Sequence, residues 1–216
     1  MMRQTAISFR SKQVTLEGVL AMPQELPQPY PAIVMCHPHP LLGGNMDSPV
    51  VASVCRAASE AGFASFRFNF RGVEGSEGDF ENGDSTHEDI KAALNIIRRW
   101  RGVDRKRMAL CGYSFGAGAI LRGLRHFKSA RALALIAPPL STVEESRIVK
   151  DKRPKLFVVG EHDRLVSSVR LQRALDGVRE PVQFREVEGG DHSLAGLEWE
   201  VADEVVAFVS QVFGVD

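Results

Sequence analysis

From Ala32 onward the chain alternates between two kinds of segment, and this alternation constrains the fold more than any other feature. Short apolar runs, "AIVMCH" (32–37), "FASFRFNF" (63–70), "RMALCGY" (107–113), "ALALIA" (132–137), "KLFVVG" (155–160) and "VQFREVEG" (182–189), stand between stretches with helical spacing. The helical stretches are "SPVVASVCRAASEAG" (48–62), "STHEDIKAALNIIRRWR" (85–101), "FGAGAILRGLRHF" (115–127), "SSVRLQRALDGV" (167–178) and "LEWEVADEVVAFVSQVF" (197–213). Runs that do not alternate apolar with polar read as strands buried on both faces. Strand, helix and strand in this order give a mostly parallel sheet with right-handed crossovers and helices on both faces. Before Ala32, "TAISFR" and "VTLEGVLAMP" read as an antiparallel hairpin at one sheet edge, and "ELPQPYP" (25–31) as a surface connection.

Local punctuation supports these boundaries. Ser48 is placed to cap a helix whose first residue is Pro49, with Gly62 closing it. Ser85 and Glu88 have the spacing of a capping box. The basic stretch "RRWRGVDRKR" (98–107) reads as a solvated helix end and turn.

Whole-chain properties exclude several classes. With 216 residues, the chain is expected to form a single domain over 1–216 with a sizeable core. Lys+Arg and Asp+Glu are both 27, so no basic excess points to nucleic acid. The three cysteines, Cys36, Cys55 and Cys111, do not suggest a disulfide framework, which favours a reducing, cytoplasmic location. No stretch of about 18 apolar residues exists to cross a membrane, and no membrane partner is expected. The expected state is a monomer or homodimer.

In an open parallel sheet the site lies beyond the carboxyl ends of the strands. Gly112-Tyr113-Ser114-Phe115-Gly116 falls there as G-x-S-x-G between a strand and a helix, the context of a nucleophile elbow. A serine hydroxyl needs a base to take its proton and an acid to orient that base. In this architecture the acid and then the histidine follow the serine in the chain. Asp163, in "GEHDRLV", and His192, in "GGDHSL", each follow a strand. Glu161 competes with Asp163, Asp191 precedes His192, and His87 and His126 fall on helices as expected surface residues.

The oxyanion of such a reaction needs two N–H donors. Phe115 supplies one, and the loop "CHPHPLLGG" should supply the other. Pro38 and Pro40 have no N–H, so His39 is the candidate and Leu41 the reserve. His37 and His39 also suggest a metal site, but no third ligand is near them in sequence, and no metal or other cofactor is expected. His37 is expected to pack or hydrogen-bond beneath the loop. The acidic, glycine-rich "RGVEGSEGDFENGD" (71–84) lacks the ligand spacing of a calcium loop and reads as a flexible border of the site. Cys111 reads as a small core residue.

"HPHPLLGGNMDS", "FNFRGVEGSEG", "GYSFGAG", "GEHDRLV" and "GGDHSL" follow one another as they do in a known family. Over essentially its whole length the chain resembles the α/β-hydrolase superfamily, specifically its small dienelactone-hydrolase-like esterases. The resemblance implies an α/β-hydrolase fold with about eight strands, Ser114 as nucleophile, Asp163 as acid and His192 as base. Dienelactone hydrolases themselves carry a cysteine where this chain has Ser114. The expected function is hydrolysis of small-molecule carboxylic esters through an acyl-enzyme. Alternatives are thioester hydrolysis, a small prolyl-oligopeptidase-like peptidase, or a non-catalytic binding protein on the same fold. Only "PPLSTVEESRIVKDKRP" (138–154) separates the strands where many such proteins insert a cap, so no large cap domain is expected.

Overall fold

Alternate side chains of a strand point to opposite faces, and the core divides accordingly. The computed structural model describes residues 2–23 and 26–215. Strands β1 (Met2–Ser11), β2 (Val14–Pro23), β3 (Tyr30–Cys36), β4 (Ala64–Phe68), β5 (Val103–Tyr113), β6 (Ala132–Ile136), β7 (Lys155–Gly160) and β8 (Val182–Val187) form one sheet. Their order is β1-β2-β4-β3-β5-β6-β7-β8. The β1–β2 hairpin is antiparallel and meets β4 antiparallel; from β4 through β8 every pairing is parallel.

Helices α1 (Pro49–Glu60) and α6 (Glu198–Phe213) cover one face. There Ile33, Met35, Ala109, Cys111, Leu156 and Val158 meet Val51, Val54, Val205 and Val209. Helices α2 (Thr86–Arg98), α3 (Phe115–Gly123), α4 (Leu140–Glu145) and α5 (Ser168–Ala174) cover the other, over Val34, Leu110, Leu133 and Phe157. β3, β6 and β7 are buried at every residue. Burying one such aliphatic or aromatic side chain contributes about 1.5–3 kcal/mol. All three cysteines are buried and unpaired. Burial pushes the Cys55 thiol up to about 12 and raises those of Cys36 and Cys111. Cys111 is the core residue its sequence position suggested.

Several local expectations are corrected. Ser48 does occupy the cap position of α1, but its hydroxyl accepts from the Asn45 N–H instead of a helix N–H. The Ser85–Glu88 capping box does not form. Glu88 is drawn away by Lys12 and Arg71, while the neighbouring Asp89 is fully buried in a bidentate pair with Arg71, Nη2 donating to Oδ1 and Nε to Oδ2. The basic stretch 98–107 is only partly helix end and turn, because β5 already begins at Val103. The segment 71–84 is pinned rather than loose. Gly75 N–H donates to Glu17, Glu77 N–H donates to the Thr15 carbonyl, and Val73 and Phe80 are buried. Part of the connection read at 25–31, Glu25, lies outside the described residues.

Between β6 and β7 the chain forms only the six-residue α4 and a 3₁₀ turn at Arg147–Lys150. Among the described residues no large cap covers the strand ends. Among the described residues no helix is long and apolar enough to cross a membrane.

Candidate active site

Ser114 sits between the last residue of β5 and the first of α3 with φ 51° and ψ −112°. A non-glycine residue there carries roughly 1–3 kcal/mol of strain and persists only where its surroundings fix it. The fixing contacts are its own N–H to the Ile136 carbonyl (2.8 Å) and its carbonyl to the Gly118 N–H (3.0 Å). The elbow glycines leave no room for a side chain. A Cβ on Gly116 would lie 2.4 Å from the Cys36 carbonyl oxygen, and one on Gly112 would lie 2.6 Å from the Gly116 carbonyl carbon. The same contact brings the loop after β3 directly against the start of α3.

The loops after β7 and β8 bring Asp163 and His192 to this serine. Ser114 Oγ lies 2.9 Å from His192 Nε2, and His192 Nδ1 lies 2.8 Å from Asp163 Oδ2. A carboxylate oxygen accepts, so Nδ1 is the donor, and the Nε2 lone pair is left facing the serine hydroxyl. The Asp163 side chain is fully buried, and its Oδ1 accepts from the Leu165 and Val166 N–H groups, both at 2.8 Å. The carboxylate therefore has one direction left in which to act.

The competing acids are engaged elsewhere. Asp191 Oδ1 accepts from the Ser193 hydroxyl and from the Ser193 and Leu194 N–H groups, folding its own turn. Glu161 accepts from the Gly189 N–H at 2.9 Å and so braces the histidine loop from outside. His162 and His87 are exposed or half-exposed, and the His87 ring packs at a tilt against His126.

Tyr113 was missed in the sequence. It fills the unrestricted position of G-x-S-x-G, and its hydroxyl donates to the His192 carbonyl at 2.7 Å. Burial, followed by the nearby Asp163, pushes this phenol up to about 12, so it remains a donor at neutral pH. Strand periodicity places Tyr113 on the α1/α6 face with Cys111, but nothing in the pattern specifies a partner for its hydroxyl.

The loop after β3 holds the second set of candidates. His37 is fully buried; its Nε2 accepts from the Phe70 N–H and its Nδ1 donates to the Pro38 carbonyl. With both nitrogens bonded to backbone, it braces the loop from beneath and has no lone pair free for a metal. Burial lowers its pKa to about 4. The His39 ring packs edge-on against Phe80 and Phe115, with centroids 5.4 and 5.0 Å away. Its Nδ1 accepts from the Leu41 N–H at 3.2 Å, which occupies the reserve donor. The Phe115 N–H stands at the first position of α3, where helix N–H groups lack an intrahelical partner. Phe80 and Gly83 of the 71–84 segment close against Phe115, so that segment does border the site.

A cavity of about 470 Å³ opens beside Ser114 and His192, and Pro139, Leu140, Glu144, Arg164, Leu165 and Arg170 contribute to its lining. Arrangements of this kind can carry out nucleophilic acyl transfer.

A family model described as "Alpha/beta hydrolase domain" matches residues 32–205. An alpha-beta serine hydrolase homologue from Coxiella burnetii is 29% identical, with a TM-score of 0.80 over 94% of this chain and 96% of that one. XC6422 from Xanthomonas campestris, described as an a/b serine hydrolase without lid, is 25% identical, with a TM-score of 0.83 over 98% and 95% of the two chains. A Rickettsia prowazekii protein, RP471, is 27% identical over 170 residues, 75% of this chain and 71% of that one.

Proposed function

The chain belongs to the alpha/beta hydrolase family, and on that premise we propose that it hydrolyses short-chain carboxylic esters through an acyl-enzyme on Ser114. The observation that carries this reading is the pair of hydrogen bonds linking Ser114 Oγ, the His192 ring and Asp163 Oδ2 at 2.9 and 2.8 Å. The description of the Coxiella and Xanthomonas relatives as serine hydrolases supports it.

In this mechanism Ser114 Oγ attacks the ester carbonyl carbon while His192 Nε2 takes the hydroxyl proton. Asp163 holds the imidazole in the required tautomer and stabilises the imidazolium that forms. The oxyanion of the tetrahedral intermediate is met by the Phe115 N–H and the His39 N–H, each donor of this kind being worth on the order of 10²–10³ in rate. Collapse breaks the ester C–O bond, and His192 returns the proton to the departing alcohol. Water then attacks the Ser114 acyl ester with His192 again as base, releasing the carboxylic acid and restoring the serine.

A panel of p-nitrophenyl esters of increasing chain length, run beside thioesters and aminoacyl amides, tests the reading. Efficient turnover of short esters is expected. Turnover of thioesters or amides with little or none of esters would overturn it.

A further inference from the structure

Two consecutive residues just after β4 hold both ends of the loop that presents His39. The Phe70 N–H donates to His37 Nε2 at 3.1 Å. The side chain of the preceding residue, Asn69, reaches the far end of the loop, where its Oδ1 accepts from the Met46 N–H at 2.7 Å. Between these pins the loop closes on itself. The His39 carbonyl accepts from the Leu42 and Gly44 N–H groups, both at 3.0 Å. Gly44 lies flush against the start of the turn, since a Cβ there would stand 2.4 Å from the Pro38 carbonyl oxygen. So tight a turn cannot shift at Met46 without moving Gly44 and the His39 backbone bonded to it.

Asn69 is itself fixed in one orientation. It is 1% exposed. Its N–H donates to the Glu17 carbonyl, and its carbonyl accepts from the Ser76 hydroxyl. Its Nδ2 donates to Glu17 Oε1 at 2.7 Å. A carboxylate oxygen only accepts, so the amide cannot be turned over. The flipped form would set oxygen against oxygen at Glu17 and N–H against N–H at Met46. Glu17 thus determines which end of the amide faces the loop.

We propose that Asn69, oriented by Glu17, is a positioning residue for acyl transfer, and that its hold on Met46 sets where the His39 N–H meets the oxyanion. This inference rests on the ester-hydrolase reading above and on His39 as the second donor. Such a donor acts on the charge that develops on the carbonyl oxygen and hardly at all on the neutral ester. Loss of the hold should therefore lower kcat and leave KM nearly unchanged.

The test is Asn69→Leu, similar in shape but without a polar group, measured on p-nitrophenyl acetate. Its kcat should fall by about 30-fold or more, toward the 10²–10³ on the order of which one lost donor costs, with KM within about threefold of wild type. Inhibition by butaneboronic acid should weaken by a comparable factor. Ser114 Oγ adds to the boron as its proton passes to His192, and the resulting tetrahedral boronate sets an oxygen where the oxyanion forms. Asn69→Ser, whose hydroxyl is one bond shorter than the amide oxygen and cannot reach Met46, carries the same expectations if the leucine variant does not fold. Asn69→Asp separates positioning from stability. Either of its oxygens can accept from Met46, but a second carboxylate then faces Glu17. It should lose stability in urea yet retain most of the kcat that Asn69→Leu loses. A folded Asn69→Leu enzyme with kcat within about threefold of wild type, a loss carried by KM, unchanged boronate inhibition, or kcat that falls equally in Asn69→Leu and Asn69→Asp would overturn the positioning role and leave ester hydrolysis standing. Wild-type protein that turns over no ester would instead overturn the ester-hydrolase reading itself.

Discussion

Gly160, the last residue of β7, lies flush against Gly190 in the loop that carries His192: a Cβ on Gly160 would stand 2.3 Å from the Gly190 carbonyl oxygen. The His162 N–H donates to that same oxygen at 2.7 Å. The strand end that delivers Asp163 and the loop that delivers His192 are therefore built as one unit.

Gly160→Ala should break that unit. The clashing atoms are backbone, so no side chain can swing aside, and overpacking of this kind costs about 1–3 kcal/mol even when the structure yields. Urea unfolding should show a loss at the upper end of that range. Ester turnover in the folded fraction should fall with it, because Asp163 and His192 can no longer approach to 2.8 Å. Wild-type stability and turnover in this variant would mean that the contact is not needed.

The two aspartates near His192 should behave differently. Asp163→Asn replaces the buried acceptor facing Nδ1 and leaves the tautomer uncontrolled, a change that costs on the order of 10⁴ in kcat in comparable sites. Asp191→Asn keeps the Oδ1 that accepts from Ser193 and Leu194. Its loss should be less than about tenfold. Steady-state kinetics on one short ester would compare them, and similar losses would reverse the assignment.

Much of this arrangement was legible in the sequence, and the parts that were not share a cause. The buried strands, the elbow and the order of Ser114, Asp163 and His192 are set by patterns local to each segment. The Ser85–Glu88 pattern failed because Lys12 and Arg71 compete for Glu88 from remote parts of the chain. The segment 71–84 looked loose because its partners Glu17 and Thr15 lie in β2, more than fifty residues earlier. Tyr113 was unreadable for the same reason, since its partner at His192 is 79 residues away. Sequence patterns report what a segment does by itself, and these contacts exist only once the sheet has formed.

Acid should destabilise the fold through His37. Its ordinary value is 6.5 and burial lowers it to about 4 in the folded chain. Between those values the unfolded chain binds the proton and the folded chain does not, so stability falls as pH drops through that window and is unaffected above it. The full effect is about 3 kcal/mol. His37→Gln retains an acceptor for the Phe70 N–H and cannot titrate. Urea midpoints measured from pH 7 to pH 4 should therefore fall less steeply in this variant than in the wild type. Parallel slopes would show that His37 does not carry the effect.

The open site should favour short acyl groups. Only α4 and one 3₁₀ turn stand where a cap could be, so little apolar surface can cover a long chain. Each fully buried methylene is worth about 0.8 kcal/mol, and a methylene left in water contributes none of it. Rate measured against concentration through the solubility limit should saturate smoothly. A sharp rise at that limit, or a preference for chains beyond about ten carbons, would show a cover that closes over the substrate.

Ser114, activated by His192 and Asp163, should become acylated. The most direct measurement is intact-mass and peptide mapping of wild type and Ser114→Ala after treatment with a fluorophosphonate, with ester turnover measured on the same samples. One adduct per wild-type chain is expected, mapped to Ser114. Ser114→Ala should show no adduct and nearly complete loss of turnover, with circular dichroism matching the wild type. An adduct on another residue, or a folded Ser114→Ala enzyme that keeps near wild-type kcat, would contradict it.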